Sequence, residues 1–186
     1  MSENKNMDGK MPGEISLPII ELGMDCRKYL QWYYAEGGYN AAFGEFKGRI
    51  IKINRRGILF KRLYVDFMEG DGTYVKGKED HIWVFDKRPF FKARVKVGDC
   101  VSFTGKVYAY RRQDESIDFS LKDCEDIKKI DSYVLPSDEE LDRQSLERIA
   151  CETCLYSEQC CGFCIAPVGW REARIEVLQK IMKCNA

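Results

Sequence analysis

At 186 residues, with 45% hydrophobic and 32% charged side chains, the chain has the length and balance of one globular domain with an appendage, or of two small domains. No stretch reaches the roughly 20 apolar residues that a membrane span requires. The opening MSENKNMDGKMP has no apolar signal core, so the expectation is a cytoplasmic protein, no membrane partner, and thiols that stay reduced. The formal net charge is zero, yet residues 46–112 hold 17 Lys/Arg against 7 Asp/Glu, while residues 1–45 carry 4 against 7 and residues 113–150 carry 5 against 12; a basic middle between acidic ends predicts a polyanion-binding face.

Residues 1–17 read as a flexible N-terminal arm and 18–42 as a helical flank. Within the flank, GMDCRKYLQWYYAEGG predicts a short helix with Asp25 as N-cap and Gly37 or Gly38 as its stop. Its rings at Tyr29, Trp32 and Tyr33 fall along one side, as a helix docked on a core requires.

From Phe43 to Ile130 the pattern changes to strands. FGEFKGRIIKIN, GILFKRLYVDFM, DHIWVF, DCVSFTGKVYAYRR and SIDFSLKDCEDIKKI are rich in β-branched and aromatic residues and are separated by Gly, Asp and Lys turns. No full-length helix interrupts them, so the sheet should be antiparallel. Strict alternation puts Leu59, Leu63, Val65 and Phe67 on one face of the second strand and Phe60, Arg62 and Tyr64 on the other. In the fourth strand it puts Val101, Phe103, Val107 and Ala109 inward, with Lys106, Tyr108, Tyr110 and Arg112 outward. The first strand alternates less cleanly, which predicts a bulge near Gly48.

Five short antiparallel strands, with VKVGDCVSFTGKV leading into the fourth, resemble an OB-fold over residues 43–130: Gly98 and Asp99 make the turn and Gly105 lets the strand bend. The resemblance implies a mainly β chain with flanking helices, built on a five-stranded antiparallel OB-like barrel. The helix that such folds place between the third and fourth strands is missing or reduced to DKRPFFKARV. OB-fold domains commonly bind single-stranded nucleic acid, and some bind proteins or sugars. A groove for single strands needs cations for phosphates and rings for bases. Arg49, Arg55, Arg56, Arg62, Lys106, Arg111 and Arg112 are the phosphate candidates, extended by Lys87, Arg88, Lys92, Arg94 and Lys96. Phe60, Tyr64, Tyr108 and Tyr110 are the stacking candidates. The expected function is therefore binding of single-stranded DNA or RNA. A rival class, a protein-binding regulator or inhibitor, would use the same aromatic and arginine face, since Tyr, Trp and Arg dominate interface hot spots.

The acidic segment 113–150 is expected to recruit a protein partner or to screen the basic face. Residues 131–186 read as a helical module. Ser137 and Glu140 form a capping box, and Leu141, Leu146 and Ile149 lead to CETCLYSEQCCGFC, which holds five of the nine cysteines. A second helix follows with Trp170, Val177, Leu178 and Ile181 on one side. Cys151, Cys154, Cys161 and Cys164 make C-x2-C-x6-C-x2-C, a pair of knuckles suited to tetrahedral Zn2+. With Cys160 in place of Cys161 the spacing becomes C-x2-C-x5-C-x3-C, which resembles the auxiliary iron–sulphur motif of SPASM-type domains, and Cys184 is a further alternative ligand. An all-cysteine shell leaves no open position, so the metal's role is structural. Cys26, Cys100 and Cys124 read as small apolar residues. His81 is the one histidine, no phosphate-cradling glycine motif is present, and the chain is not expected to be an enzyme.

Overall fold

Alternation builds the sheet, and bulges bend it. In the computed structural model, which describes residues 14–15, 27–37, 44–68, 74–156 and 165–184, the chain forms two compact units, Met1–Leu135 and Pro136–Ala186. The first unit contains β1 (Glu14–Ile15), α1 (Lys28–Gly37), β2 (Gly44–Ile53), β3 (Ile58–Met68), β4 (Tyr74–Val84), α2 (Arg88–Lys92), β5 (Cys100–Arg111) and β6 (Ile117–Ile130). The second contains α3 (Asp138–Glu152) and α4 (Trp170–Cys184). Asp25 and Cys26 lie outside the described residues.

The five long strands pair antiparallel in the order β4-β3-β2-β5-β6, and β1 joins β5 beside Ala109 and Tyr110. The mainly β, antiparallel expectation holds. The closed barrel does not: among the described residues the edge strands β4 and β6 make no backbone ladder. They approach each other through a side chain, the Ser120 hydroxyl donating to the Trp83 carbonyl at 2.6 Å.

Non-glycine residues in the left-handed region explain the curl. Arg62 (φ 54°) gives β3 an extra residue against β2, where Lys47 faces Tyr64 but Arg49 faces Lys61, so the register shifts across Gly48 as the irregular first strand predicts. Asp123 (φ 50°) and Asp126 (φ 51°) do the same in β6 against β5, at the register shifts around Thr104. Each bulge sharpens the local twist and reverses which residues face inward. Consequently Ile58 and Phe60 face the interior before Arg62, and Leu63, Val65 and Phe67 do so after it. The strict alternation that placed Phe60 opposite Leu63 fails at that one residue.

A chain of rings fills the interior. Phe90 of α2 meets Phe60 and Phe103, Phe103 meets Phe46, Phe46 meets Tyr33, and Tyr33 stacks on Phe67 at 4.8 Å. The short segment between the third and fourth long strands is thus a one-turn helix that sets Phe90, fully buried, among these rings. At the other end α1 docks by Tyr29, Leu30 and Tyr33, all buried, as the ring spacing predicts. Its first turn is capped from the sheet: a Glu79 carboxylate oxygen accepts from the backbone N–H groups of Tyr29 (2.8 Å) and Leu30 (3.1 Å). Burial raises the Glu79 pKa, against those two backbone hydrogen bonds and the Arg27 charge.

The helix lies on Gly77, where an added Cβ would stand 2.2 Å from the Tyr29 Cγ. Gly77→Ala is therefore expected to lift α1 and to lower unfolding stability by at least the ~1–3 kcal/mol of an overpacked core, measured by urea denaturation.

In the second unit the Ser137 capping box forms as predicted, with Glu140 N–H donating to the serine hydroxyl and Ser137 N–H to the Glu140 carboxylate. The small core consists of Leu146, Ala150 and Ile175 with Leu178 against it. Ile149, Val177 and Ile181, expected inward, are exposed. The buried face of α4 therefore runs through Ile175 and Leu178. No described helix is long and apolar enough to cross a membrane.

Candidate nucleic-acid interface

Asn54 opens the tight turn between β2 and β3, its side-chain oxygen accepting from the N–H groups of Arg56 and Gly57. The Lys87 ammonium pins the same turn by donating to the carbonyls of Asn54 (2.9 Å) and Arg55 (3.2 Å). This lysine, predicted as a phosphate contact, is committed to holding the loop. Gly57 is required here because a Cβ would stand 2.4 Å from the Val84 carbonyl oxygen. The turn places the Arg56 guanidinium over the rings of Trp83 (5.3 Å) and Phe85 (5.7 Å).

The second hairpin turn, between β5 and β6, faces the same space. Arg56, Tyr110, Arg111, Arg112, Gln113 and Asp114 line one open cleft of about 570 Å³. Three of the predicted phosphate residues, Arg56, Arg111 and Arg112, thus converge although 55 positions of sequence separate the first from the second. The acidic stretch that follows β5 screens two of them locally. Arg111 pairs with Glu115 at 3.1 Å, and Arg112 pairs with Asp118.

Asp118 is the organising group beneath the cleft, and the sequence reading missed it. Its side chain is 3% exposed and accepts from the Arg27 Nε (3.0 Å), the Tyr110 hydroxyl (2.8 Å), the Phe119 N–H (2.8 Å) and the Arg112 guanidinium. Burial opposes its charge, but the Arg112 hydrogen bond, the Arg27 charge and the Phe119 and Tyr110 donors outweigh burial and hold the carboxyl below its ordinary pKa. Arg112 is raised in turn, chiefly by its hydrogen bond to Asp118.

The remaining predicted residues fall elsewhere. Arg49 and Lys61 face each other across β2 and β3, beside the Arg62 bulge, and all three are exposed. The Tyr133 hydroxyl donates to the Arg62 carbonyl (2.7 Å) and holds the bulge. Lys106 is half-buried opposite Lys122. Arg55 is exposed in the first turn, while Arg88 is paired with Asp86 at 2.8 Å.

The stacking candidates need correction. Phe60 is fully buried, a core ring against Phe90 and Phe103. Tyr108 is 2% exposed, and Tyr110 is held by Phe85 edge-on and by Asp118. Tyr64 is also buried, its hydroxyl on Asp66 (2.9 Å) and Lys47 over its ring (5.0 Å). None of the four offers an open ring face. The half-buried rings beside the arginines are Trp83 and Phe85, which the sequence reading did not single out. Gly98 (φ 96°) and Asp99 do form the turn before β5, with Asp99 accepting from the Lys96 N–H and the Lys129 ammonium.

His81 is exposed in β4 with Asp80 at 2.9 Å. Of the cysteines, Cys124 is buried, which pushes its thiol pKa up, and Cys100 is half-buried. Cys151 and Cys154 close α3, whereas Cys160, Cys161 and Cys164 and the Cys184 side chain lie outside the described residues. Among the described residues no group of three or more His, Cys, Asp or Glu is placed to hold a metal. Compared with protein-family models, curated proteins and solved structures, the chain matches none.

Proposed function

We propose that this protein binds single-stranded nucleic acid in the cleft between its two hairpin turns. The observation that carries the reading is the convergence there of Arg56, Arg111 and Arg112. Counted among the five long strands, the sheet order is 3-2-1-4-5, and the cleft lies between the first and last hairpin turns. Those are the loops that OB-folds use to bind oligonucleotides, so strand order and cleft support the same likeness although the sheet is open.

The buried rings change the mechanism. Phosphates fall to Arg111 and to the outward N–H groups of Arg112, which Asp118 orients from below. Base contact falls to the Arg56 guanidinium plane, stacked over Trp83 and Phe85, because bases stack on arginine planes as well as on rings. Gln113 adds neutral donors and acceptors at the rim. The protein-regulator reading loses ground because it needs the exposed aromatic anchors that Phe60, Tyr64, Tyr108 and Tyr110 do not supply.

Titration of intrinsic tryptophan fluorescence with single-stranded DNA and RNA at increasing salt tests the reading. Trp83 under Arg56 is expected to report binding, and the logarithm of affinity should fall linearly with the logarithm of salt, by about 0.7 per phosphate neutralised. Binding that ignores salt, or none at low salt, would sink it.

A further inference from the structure

One buried carboxylate serves two elements at once. Of the Asp118 oxygens, Oδ1 accepts from the Arg27 Nε at 3.0 Å and from the Phe119 N–H at 2.8 Å. Oδ2 accepts from the Tyr110 hydroxyl at 2.8 Å and from the Arg112 guanidinium. Arg27 stands immediately before α1, and Arg112 lines the cleft. Asp118 thus has α1 on one oxygen and the cleft on the other.

The α1 side of this bridge is strained. Arg27 holds the left-handed conformation (φ 62°), which a non-glycine residue keeps only when its surroundings over-determine it. Two contacts do so: its carbonyl accepts from the Gln31 N–H at 2.8 Å, and its guanidinium, 7% exposed, is fixed on Asp118. Glu79, which caps the first turn of α1, is the other carboxylate that feels the Arg27 charge, and burial opposes its ionisation. Arg112 differs, being 41% exposed and open to the cleft.

Charge balance connects the two sides. Arg27 and Arg112 share the single charge of Asp118, so one positive charge is left over. Arg27 is sealed from solvent, and only Arg112 can present that charge to a phosphate. Without Arg27, Asp118 would be left to Arg112 alone and would compensate it. We propose that Arg27 is a positioning residue for the cleft: docked α1 leaves Arg112 free to hold a phosphate, and a phosphate on Arg112 strengthens the hold on α1. Linkage requires the two effects to be equal in size. The inference rests on the nucleic-acid reading of the cleft and makes α1 a regulator of its affinity.

Oligothymidylate is the probe, titrated against the full chain by tryptophan fluorescence. Arg27→Gln is expected to bind about fivefold more weakly, the lower end of typical coupling between sites. Its salt slope should be unchanged, because no phosphate contact is lost. Arg27→Lys, which keeps the charge, should recover most of the affinity. In wild type, saturating oligothymidylate should slow hydrogen exchange of the amides of residues 31–34 about fivefold, while the β2 amides keep their rates. That readout uses no variant, so a folding defect in Arg27→Gln cannot mask the outcome. Wild type that binds while Arg27→Gln matches its affinity, or while α1 exchange ignores the oligonucleotide, would overturn this inference alone. Wild type that binds no oligonucleotide would remove the cleft reading and this inference together.

Discussion

Arg56→Ala and Arg111→Ala are each expected to weaken single-stranded oligonucleotide binding about fivefold, the equivalent of about 1 kcal/mol for an exposed ion pair. Arg111→Ala should also lower the salt slope by about 0.7, one phosphate's worth for a single strand. Arg56→Ala should weaken the tryptophan signal as well, because its guanidinium covers Trp83 and Phe85. Neither change threatens the fold. Arg111 is surface-exposed with Glu115, and Arg56 gives up a cation–π contact worth ~0.5–1 kcal/mol at an exposed site. The double variant should lose about 25-fold if the two arginines contact different parts of the ligand. Arg88→Ala is the control: Arg88 is exposed, paired with Asp86, and absent from the cleft lining. Equal losses in Arg88→Ala and Arg111→Ala would mean that binding follows total charge rather than this cleft. Arg112 is left intact, because removing it would strip a donor from buried Asp118.

What a reader could see in the sequence follows from which features are local. Four of the five strands, the α1 docking rings, the Ser137 capping box and the Gly98–Asp99 turn depend on residues within a few positions of one another and formed as expected, whereas β4 (Tyr74–Val84) starts well ahead of DHIWVF, in the EGDGTYVKGKED stretch whose glycines and charges read as a loop. Phe60 was misplaced because alternation carries no warning of the Arg62 bulge, whereas Tyr64, Tyr108 and Tyr110 are buried because tertiary packing covers them, with Asp66 and Lys47 on the first, Lys122 over the second, and Phe85 and Asp118 on the third. Arg62, Asp123 and Asp126 take positive φ without being glycine, and each shifts the inward set by one residue. The closed barrel failed for a related reason, since whether β4 and β6 reach each other depends on accumulated twist rather than on any motif. The arginine cleft was half legible: its cations were named, but their gathering from two distant turns was not.

Asp118 did leave a signal. In SIDFSL a carboxylate stands in a strand among Ile117, Phe119 and Leu121, and a carboxylate buried there requires a cation. One cation, Arg112, stands six residues away across the same hairpin, and the other, Arg27, lies 91 residues away and reaches Asp118 by tertiary packing alone.

Replacing Asp118 by Asn is expected to have the largest effect of any single substitution on stability. The Arg27 and Asp118 side chains are 7% and 3% exposed, so the variant leaves a buried guanidinium without its counter-charge. Breaking one side of a buried pair costs about 3–5 kcal/mol. Denaturant unfolding at pH 7 measures the loss, and Asp118→Asn within ~1 kcal/mol of wild type would show that the pair is not what ties α1 to β6. The pH dependence separates the pair from simple packing. Asp118 has a depressed folded pKa, so its contribution is present above the unfolded aspartate value of about 3.9 and is lost as pH falls through the lower folded value. Wild type should therefore lose stability on acidification below about pH 4, and Asp118→Asn should lack that component. Glu79 runs the other way. Its folded pKa is raised, so its contribution is present below the unfolded value of about 4.3 and is lost as pH rises through the folded value. Glu79→Gln keeps an oxygen to accept from the Tyr29 and Leu30 N–H groups while removing that titration. It should flatten the decline above about pH 4.3 and leave the acid limb, which belongs to Asp118, in place. Two buried carboxylates thus hold α1 from the same side of the sheet with opposite pH dependence, because Asp118 is surrounded by cations and hydrogen-bond donors strong enough to outweigh burial and Glu79 is not.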